Sequence, residues 1–260
     1  MLLTLNIGNT HTKVGLYDGA RAVQQWRLTS DPARPPDEWG ALLYALWAAA
    51  GVDPAMIHGA VCASVVPPLT AAFTYWVQRE LGCELLVVNA SIPLGLGVRV
   101  DQPLMVGADR LANAVAARAL VGAPCVALDA GTATTFNVVD PAGDFVGGAI
   151  APGLGTTADA LAGRGAQLFH VDLVPPAHAI GRNTGEAMQS GIVWGYVGLV
   201  EGLLTRIAAE GAAAGWPPLP VVATGGFAPL LATFTPALPQ VVPDLTLDGL
   251  RQIYALNRET

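Results

Sequence analysis

The chain has few charged side chains and few positive ones. Only 13% of its 260 residues are charged, Lys and Arg together number 13, and the formal net charge is −7. Proteins that bind nucleic acid or anionic membranes generally do so through basic patches. The composition therefore argues against a nucleic-acid partner and against attraction to a membrane surface.

Several signatures of exported, metal-bound or membrane proteins are also missing. The three cysteines, Cys62, Cys83 and Cys125, are odd in number and far apart. This spacing favours buried, reduced thiols over a disulfide framework or a zinc site. No stretch approaches the roughly 20 uncharged apolar residues of a membrane span, and the N-terminus lacks the basic segment and cleavage site of a signal peptide. We therefore expect a cytoplasmic protein with no membrane partner.

Lysine occurs only once, at position 13, and every other Lys or Arg residue is arginine. Lysine carries a compact positive charge, whereas arginine carries a broad planar one. A single lysine in an arginine-biased chain favours a role for Lys13 beside a phosphate group.

What the chain does contain is an internal repeat. LTLNIGNTHTKVG at 3–15 is echoed by ALDAGTATTFNVV at 127–139, and each is typical of a strand, a turn and a returning strand. In each copy a short polar residue, Asn6 or Asp129, lies near the strand end, and a glycine follows two residues later. We call these segments hairpin 1 (3–15) and hairpin 2 (127–139).

Both hairpins are candidates for phosphate binding. A glycine at the turn lets backbone N–H groups approach an anion, threonine hydroxyls add donors, and a carboxylate at the strand end can hold Mg²⁺. A single copy would be equally typical of an ordinary β-hairpin with a Gly-Asn or Gly-Thr turn. The duplication favours a function, in which the two hairpins grip one nucleotide.

Strand and helix patterns alternate around the hairpins, which predicts an α/β fold. The pattern restarts at hairpin 2, so we predict two duplicated lobes, 1–122 and 123–260. Two such halves, each opening with a phosphate hairpin, resemble the actin, Hsp70 and sugar-kinase superfamily. That resemblance implies lobes like actin and ribonuclease H, with a nucleotide cleft between them.

Seven segments, in order and spacing, resemble the type III pantothenate kinase family. They are NIGNTHTKVGLYDG (6–19), PLMVGADRLANAVAA (103–117), DAGTATTFNVVD (129–140), GGAIAPGLGTTADAL (147–161), AIGRNTGEAMQSGIVWGYVGLVEG (179–202), ATGGFAPLL (223–231) and PDLTLDGLRQIYALN (243–257). The resemblance implies ATP-dependent phosphorylation of the 4′-hydroxyl of pantothenate, the first step of coenzyme A synthesis.

The resemblance implies a substrate site around GADR. Asp109 matches the general base that accepts the pantothenate hydroxyl proton. The residues implied to contact pantothenate are Val100, Gly107, Ala108, Asp109, Arg110 and Thr184. A carboxylate within hydrogen-bond reach can orient the attacking hydroxyl. From the residues alone, Asp109 and Thr184 could instead cap the helices that follow them.

The same match implies an ATP site. Thr132 in hairpin 2 matches an ATP contact, and Asp129 matches a monovalent-cation site, which implies dependence on K⁺ or NH₄⁺ as well as Mg²⁺. The implied ATP contacts in hairpin 1 are Asn6, Ile7, Gly8, Asn9, Thr10, His11, Thr12 and Lys13. Without the resemblance, Asp129 could equally hold magnesium or form the turn.

The chain departs from the family at two positions. Asn6 stands where the family has aspartate, and a neutral amide carbonyl should weaken the hold on Mg²⁺. Val100 stands where the family usually carries a tyrosine near the pantothenate pocket, so one contact there is missing. Asn6 is the chief support for an alternative function: a catalytically weakened paralogue that binds nucleotide or pantothenate as a regulator or accessory protein. A different kinase or phosphatase of the superfamily is a third hypothesis, opposed by the match through the substrate segments.

The helix expected after Thr184 has an apolar face at helical spacing, formed by Met188, Ile192, Val193 and Tyr196. Such a face is typical of a protein core or of a dimer seam. The family consists of homodimers, so the resemblance favours the seam.

Overall fold

A computed structural model of the chain describes residues 1–164 and 169–258. It contains two compact units, one formed by Met1–Ala116 with the chain from Asp244 onward, the other by Ala117–Pro243. Each unit contains one five-stranded sheet.

The sheet of the first unit is mixed. Its strands are β1 (Leu2–Ile7), β2 (His11–Asp18), β3 (Arg21–Thr29), β4 (Gly59–Ser64) and β5 (Leu85–Val87). They lie in the order β3-β2-β1-β4-β5. β1 is antiparallel to β2 and parallel to β4, so hairpin 1 is built on the central strand.

The sheet of the second unit repeats this topology. Its strands are β6 (Cys125–Ala130), β7 (Ala133–Val139), β8 (Phe145–Pro152), β9 (Val221–Thr224) and β10 (Gln240–Val241). Their order is β8-β7-β6-β9-β10, with β6 antiparallel to β7 and parallel to β9. The predicted α/β duplication is therefore confirmed, strand for strand.

Aromatic side chains hold two helices of the first unit together. The helices of this part of the chain are α1 (Pro36–Ala49), α2 (Pro67–Trp76, continued by a π-helical turn at Val77–Leu81) and α3 (Ala108–Val121), with short 3-10 turns at Pro54–Met56 and Pro103–Met105. The ring centroids of Trp39 and Phe73 are 5.0 Å apart, and those of Trp47 and Trp76 are 5.8 Å apart. These buried rings place α2 beside β4, whose end lies next to hairpin 1.

The second unit contains one long helix and two shorter ones. They are α4 (Leu154–Arg164), α5 (Thr184–Ala213) and α6 (Ala228–Ala232). Our sequence analysis predicted α5 but neither α4 nor α6. The apolar face of α5 formed by Met188, Ile192, Val193 and Tyr196 is buried in the core of this unit. The prediction of a dimer seam on that face was wrong, because helical periodicity cannot distinguish a core face from an interface.

By length and composition alone, α5 could cross a membrane, and a third of its most apolar window is buried inside the protein. We did not expect such a stretch from the sequence. One helix of this kind is weak evidence for a span, because the core helix of a globular unit meets the same criteria.

The last helix, α7 (Leu245–Arg258), packs on the first unit rather than the second. Thr246 donates a hydrogen bond of 2.7 Å to the side chain of Asn113, and Gly249 leaves space for the carbonyl of Ala112. α7 therefore contacts both the first half of α3 and the first sheet. This division differs from the predicted 1–122 and 123–260 because contacts so distant in sequence give no local signal.

All three cysteines are free thiols; Cys62 and Cys125 are buried as predicted, whereas Cys83 is half-buried. Burial raises the pKa of Cys62 to about 12 and that of Cys125 to about 11. Thiols with such values are poor nucleophiles at neutral pH.

Candidate functional site

Hairpin 1 presents only its turn to solvent. The backbone N–H of Gly8 donates to the carbonyl of His11 at 3.1 Å, and Asn9, Thr10 and His11 are exposed. Ile7 is buried. Of the predicted phosphate contacts, those in the turn are therefore the ones that reach the surface. The side chains of residues 6 and 13 beside the turn are half-buried.

Thr12 does not fit the role predicted for its hydroxyl. Its side chain is fully buried, and its Oγ1 lies 2.9 Å from the hydroxyl of Ser30. Thr10 lies in the turn before β2 and is exposed. Thr12 instead fixes β2 to the end of β3.

The strand pairing places two polar side chains beside each other at the end of hairpin 1. Asn6 is directly opposite Lys13 in the β1–β2 ladder, so their side chains lie on one face of the sheet. Nearby, burial and the positive charges of Arg27 and Lys13 lower the pKa of His11. Its imidazole is therefore neutral at neutral pH, and Lys13 supplies the positive charge of this hairpin.

A groove opens next to hairpin 1 at the carboxyl end of β4. Ser64 pairs with Ile7 across the parallel strands, and the N–H of Val65 donates to the carbonyl of Ile7 at 3.1 Å. The groove has a volume of about 700 Å³ and is lined by Ser64, Val65, Pro67, Thr70, Ala71, Thr74, Tyr75 and Gln78. The sequence analysis missed it, although the carboxyl ends of parallel strands are usual places for ligands.

Asp109 lies in the first turn of α3, with its carboxylate folded back over the helix start. Its Oδ1 accepts a hydrogen bond of 2.8 Å from the backbone N–H of Arg110. A Cβ atom on Gly107 would lie only 2.6 Å from the same oxygen. Gly107 therefore leaves room for the carboxylate in this position, and a larger residue there would require the carboxylate to move.

The electrostatics around Asp109 are mixed. Burial raises the pKa of its carboxyl, while the N–H and the guanidinium of Arg110 oppose the rise. Burial in turn lowers the pKa of Arg110, and the charge of Asp109 opposes that. The bond to the Arg110 N–H satisfies a first-turn donor of the helix, so a capping contribution coexists with a carboxylate held ready to accept a proton.

The segment that leads into α3 carries exposed apolar side chains. Val100 is half-buried, whereas Leu104 and Met105 in the following turn are 72% and 78% exposed. These side chains flank the GADR segment.

The turn of hairpin 2 is held by the segment that enters α4. The carbonyl of Thr132 accepts hydrogen bonds from the N–H of Gly153 at 3.0 Å and from the hydroxyl of Thr156 at 2.7 Å. Gly153 has no space for a Cβ, which would overlap the carbonyls of Gly131 and Thr132. The side chain of Thr132 remains exposed, so this turn offers solvent a hydroxyl on a fixed backbone.

Asp129 is surrounded closely by backbone. It pairs with Thr224 of β9, and Gly225, which has a φ of 94°, follows directly. A Cβ on Gly225 would lie 2.5 Å from the Oδ1 of Asp129 and 2.6 Å from the backbone N of Ala130. Both the left-handed backbone and the lack of space require glycine here.

Among the described residues, no group of three or more His, Cys, Asp or Glu side chains could hold a metal ion. Within the described part of the chain, a cation at Asp129 would therefore have fewer than three side-chain ligands of these kinds.

Thr184 is the first residue of α5 and is exposed, while the helix cap is its neighbour. The side chain of Asn183 accepts from the N–H of Glu186 at 2.9 Å, and Glu186 accepts from the N–H of Arg182 at 2.8 Å. The alternative interpretation, in which Thr184 caps the helix, was therefore wrong, because the cap is the preceding residue, Asn183. Beside it lies a cavity of about 340 Å³, lined by Phe169, His170, Val171, Asp172, Asn183, Gly185, Glu186 and Gln189.

The duplicated sheets resemble the fold of several solved structures. A Clostridium difficile activator of 2-hydroxyisocaproyl-CoA dehydratase, solved with bound ADPNP, aligns over 100% of this chain and 97% of its own, with a TM-score of 0.52 and 12% identity. A Campylobacter jejuni protein described as a Baf family transcriptional activator aligns over 99% of this chain and 100% of its own, with a TM-score of 0.63 and 17% identity. These likenesses support the actin-like two-lobed fold.

Sequence similarity identifies the family. The sequence pattern of type III pantothenate kinase matches residues 2–206. A type III pantothenate kinase from Roseiflexus castenholzii is 49% identical over 259 residues, which cover 100% of both chains. The chain therefore belongs to the type III pantothenate kinase family. The resemblance drawn from the seven motifs is confirmed, and so is the predicted enzyme class, an ATP-using phosphotransferase.

Proposed function

We propose that this chain transfers the γ-phosphoryl group of ATP to the 4′-hydroxyl of pantothenate, the first step of coenzyme A synthesis. The observation that carries the proposal is the full-length match to the family. The carboxylate of Asp109, which Gly107 leaves room for at the start of α3, supports it further.

Asp109 accepts the hydroxyl proton of pantothenate in this proposal. Phosphoryl transfer depends mainly on positioning and charge neutralisation, so a carboxylate that orients the attacking oxygen is sufficient. The segment from Gly107 to Arg110 contacts the substrate, with Val100 on one side. Thr184 contributes its hydroxyl from the start of α5.

Hairpin 1 and hairpin 2 bind ATP. In hairpin 1 the contacts come from the exposed turn, Gly8 to His11, and from Lys13 behind it. In hairpin 2 the exposed hydroxyl of Thr132 is the contact. These donors suit phosphate oxygens, because backbone N–H groups at a glycine turn approach an anion closely.

The cations follow from the donor set. Mg²⁺ is usually held by substrate phosphates and only one or two protein oxygens, which is consistent with the lack of an acidic cluster among the described residues. Asn6 would supply a neutral oxygen for it. Asp129, with a single carboxylate against a glycine backbone, would hold K⁺ or NH₄⁺.

We also propose that the enzyme is a cytoplasmic homodimer whose partner helps to close the pantothenate site. The buried face of α5 is not available for this contact. Its opposite face is exposed, and at Gly191, Gly195 and Gly198 an added Cβ would meet nothing within 4 Å. Light scattering that shows a fully active monomer would contradict the dimer.

The alternative, a weakened paralogue that regulates through bound nucleotide or pantothenate, rests on Asn6. A coupled assay with pantothenate, ATP, Mg²⁺ and K⁺ distinguishes the two functions. We expect ADP release that requires pantothenate and yields 4′-phosphopantothenate by mass spectrometry. Tight binding of either ligand without turnover would instead establish the regulator.

A further inference from the structure

Tyr196 joins three elements beneath the turn of hairpin 2. It lies in the middle of α5 and is 3% exposed. Its phenol oxygen is hydrogen-bonded to the hydroxyl of Thr134, the second residue of β7. Leu154, the first residue of α4, lies in the same buried cluster as Tyr196. One hydroxyl therefore ties α5 to the strand that follows the turn, and α4 packs against both of these elements.

Both β7 and α4 lead directly to Thr132. Thr134 is two residues beyond it in the hairpin, and Leu154 follows Gly153, whose N–H donates to the Thr132 carbonyl at 3.0 Å. The first turn of α4 adds the Thr156 hydroxyl to that carbonyl at 2.7 Å. The turn is thus attached to the phenol oxygen through β7, and the segment entering α4 bonds the carbonyl of the turn directly.

The phenol is suited to a permanent structural bond. Burial raises the pKa of Tyr196, so its proton stays in place at neutral pH and the hydroxyl keeps its hydrogen bond to Thr134. The nearby charge of Asp129 contributes to the rise, which places the phenol within electrostatic reach of that carboxylate. Our sequence analysis did not predict this role, because it assigned Tyr196 only to an apolar helix face.

We propose that Tyr196 is a positioning residue for the nucleotide: its hydroxyl fixes the turn of hairpin 2 so that Thr132 is presented to ATP. The inference rests on the proposed contact between Thr132 and ATP. Tyr196 does not touch the substrate, and its effect is confined to the shape of the turn.

Tyr196→Phe removes the oxygen and leaves the ring in the core. We expect the KM and the calorimetric Kd for ATP to rise about fivefold, the weakening typical of one lost hydrogen bond. The KM for pantothenate should change less than about twofold. The matched control is Tyr17→Phe. Tyr17 is a buried phenol bonded to Asp248 at 3.0 Å in the first unit, and its variant should leave both KM values unchanged.

Two further variants separate positioning from general loss of stability. Thr134→Val removes the partner hydroxyl at nearly constant shape and should raise the KM for ATP in the same way. The double variant with Tyr196→Phe should be no worse than either single variant, because both act on one bond. Additive effects would overturn the inference, as would an unchanged ATP affinity in Tyr196→Phe.

Thr132→Ala tests the assignment on which the inference rests. If Thr132→Ala weakens ATP binding and Tyr196→Phe does not, the role of Tyr196 is wrong and the ATP contact stands. If Thr132→Ala leaves ATP binding intact, the contact itself is wrong and the inference is overturned with it.

Discussion

Hairpin 1 and hairpin 2 occupy the same place in two sheets of identical topology, yet they differ in how their turns are held. At hairpin 1 a Cβ on Gly8 would meet only the carbonyl of His11, at 3.1 Å. At hairpin 2 the turn is bonded to the segment entering α4, and the N–H of Phe227 donates to the carbonyl of Ala130 at 3.0 Å. Hairpin 1 has counterparts of the backbone bonds, from the N–H of Ser30 to the carbonyl of Thr10 at 3.0 Å and from the N–H of Val65 to the carbonyl of Ile7 at 3.1 Å. The difference therefore lies in the added Thr156 bond and in the crowding around Gly153 at hairpin 2.

The two hairpins also differ in the charges of the side chains at their strand ends. Asn6 is neutral and faces Lys13 across its ladder, whereas Asp129 is anionic and faces Thr135. Duplication has therefore produced a crowded turn with its own carboxylate and a roomier turn with a positive charge beside it. A preorganised donor loses no free energy to reorganisation when a charged ligand binds, so we expect hairpin 2 to determine nucleotide placement and hairpin 1 to adapt to it.

Asp109→Asn gives the largest expected effect and leaves both hairpins untouched. Turnover should fall by roughly two powers of ten or more, because the proton acceptor is lost. ATP affinity, measured by calorimetry, should stay near the wild-type value. Near-normal turnover would remove Asp109 from the role of base.

Gly153→Ala should disturb the crowded turn of hairpin 2. An added methyl group would overlap two carbonyls of the turn, and overpacking of this kind costs about 1–3 kcal/mol of stability. Gly8→Ala is the matched control, since its methyl needs only a small shift of one carbonyl. Denaturant unfolding of both variants measures the difference, and equal destabilisation would show that the two turns are equally constrained.

Local patterns made much of this arrangement predictable. The echo between 3–15 and 127–139 indicated two hairpins, and alternation of strands and helices around them indicated the repeated sheets. Asn6 and Asp129 do occupy equivalent places, each paired with a parallel strand on the other side. These features follow from short-range periodicity, which the sequence contains directly.

Features that depend on distant contacts were not predictable in this way. The burial of Tyr196 and of the rest of its face requires knowing what packs on α5. The need for glycine at 153 and 225 appears only when segments far apart in sequence approach each other. The attachment of α7 to the first unit is a contact of the same kind, and the internal hydroxyl of Thr12 depends on its pairing with β3.

Asn6→Asp makes hairpin 1 resemble hairpin 2 in charge. If it restores one stabilising interaction of about 1.4 kcal/mol in the transition state, turnover should rise about tenfold, with a smaller change in ATP affinity. Initial rates at saturating ATP and pantothenate measure this. Asn9→Asp is the control, because it adds a carboxylate to the exposed turn rather than to the strand end. A similar gain in both variants would mean that position 6 is not special.

The smallest expected effect concerns the pH dependence of stability. Burial raises the folded-state pKa of Asp109, so its carboxyl favours the folded state at pH values below its unfolded pKa of about 3.9, and this contribution is lost as the pH rises through the folded value. Asp109→Asn removes that loss. Relative to wild type, the variant should therefore gain thermal stability as the pH rises from the unfolded pKa through the raised folded value. A difference in melting temperature that does not change with pH would contradict burial of this charge.

The central claim is that Asn6 leaves hairpin 1 with a weakened hold on Mg²⁺. A magnesium titration of turnover tests this claim most directly. Wild type and Asn6→Asp are compared in the coupled assay at fixed ATP and pantothenate. An anionic oxygen binds Mg²⁺ better than a neutral one, so we expect the variant to reach half-maximal rate at a lower magnesium concentration. Superimposable magnesium curves with equal maximal rates would contradict the account, since Asn6 would then carry no mechanistic meaning.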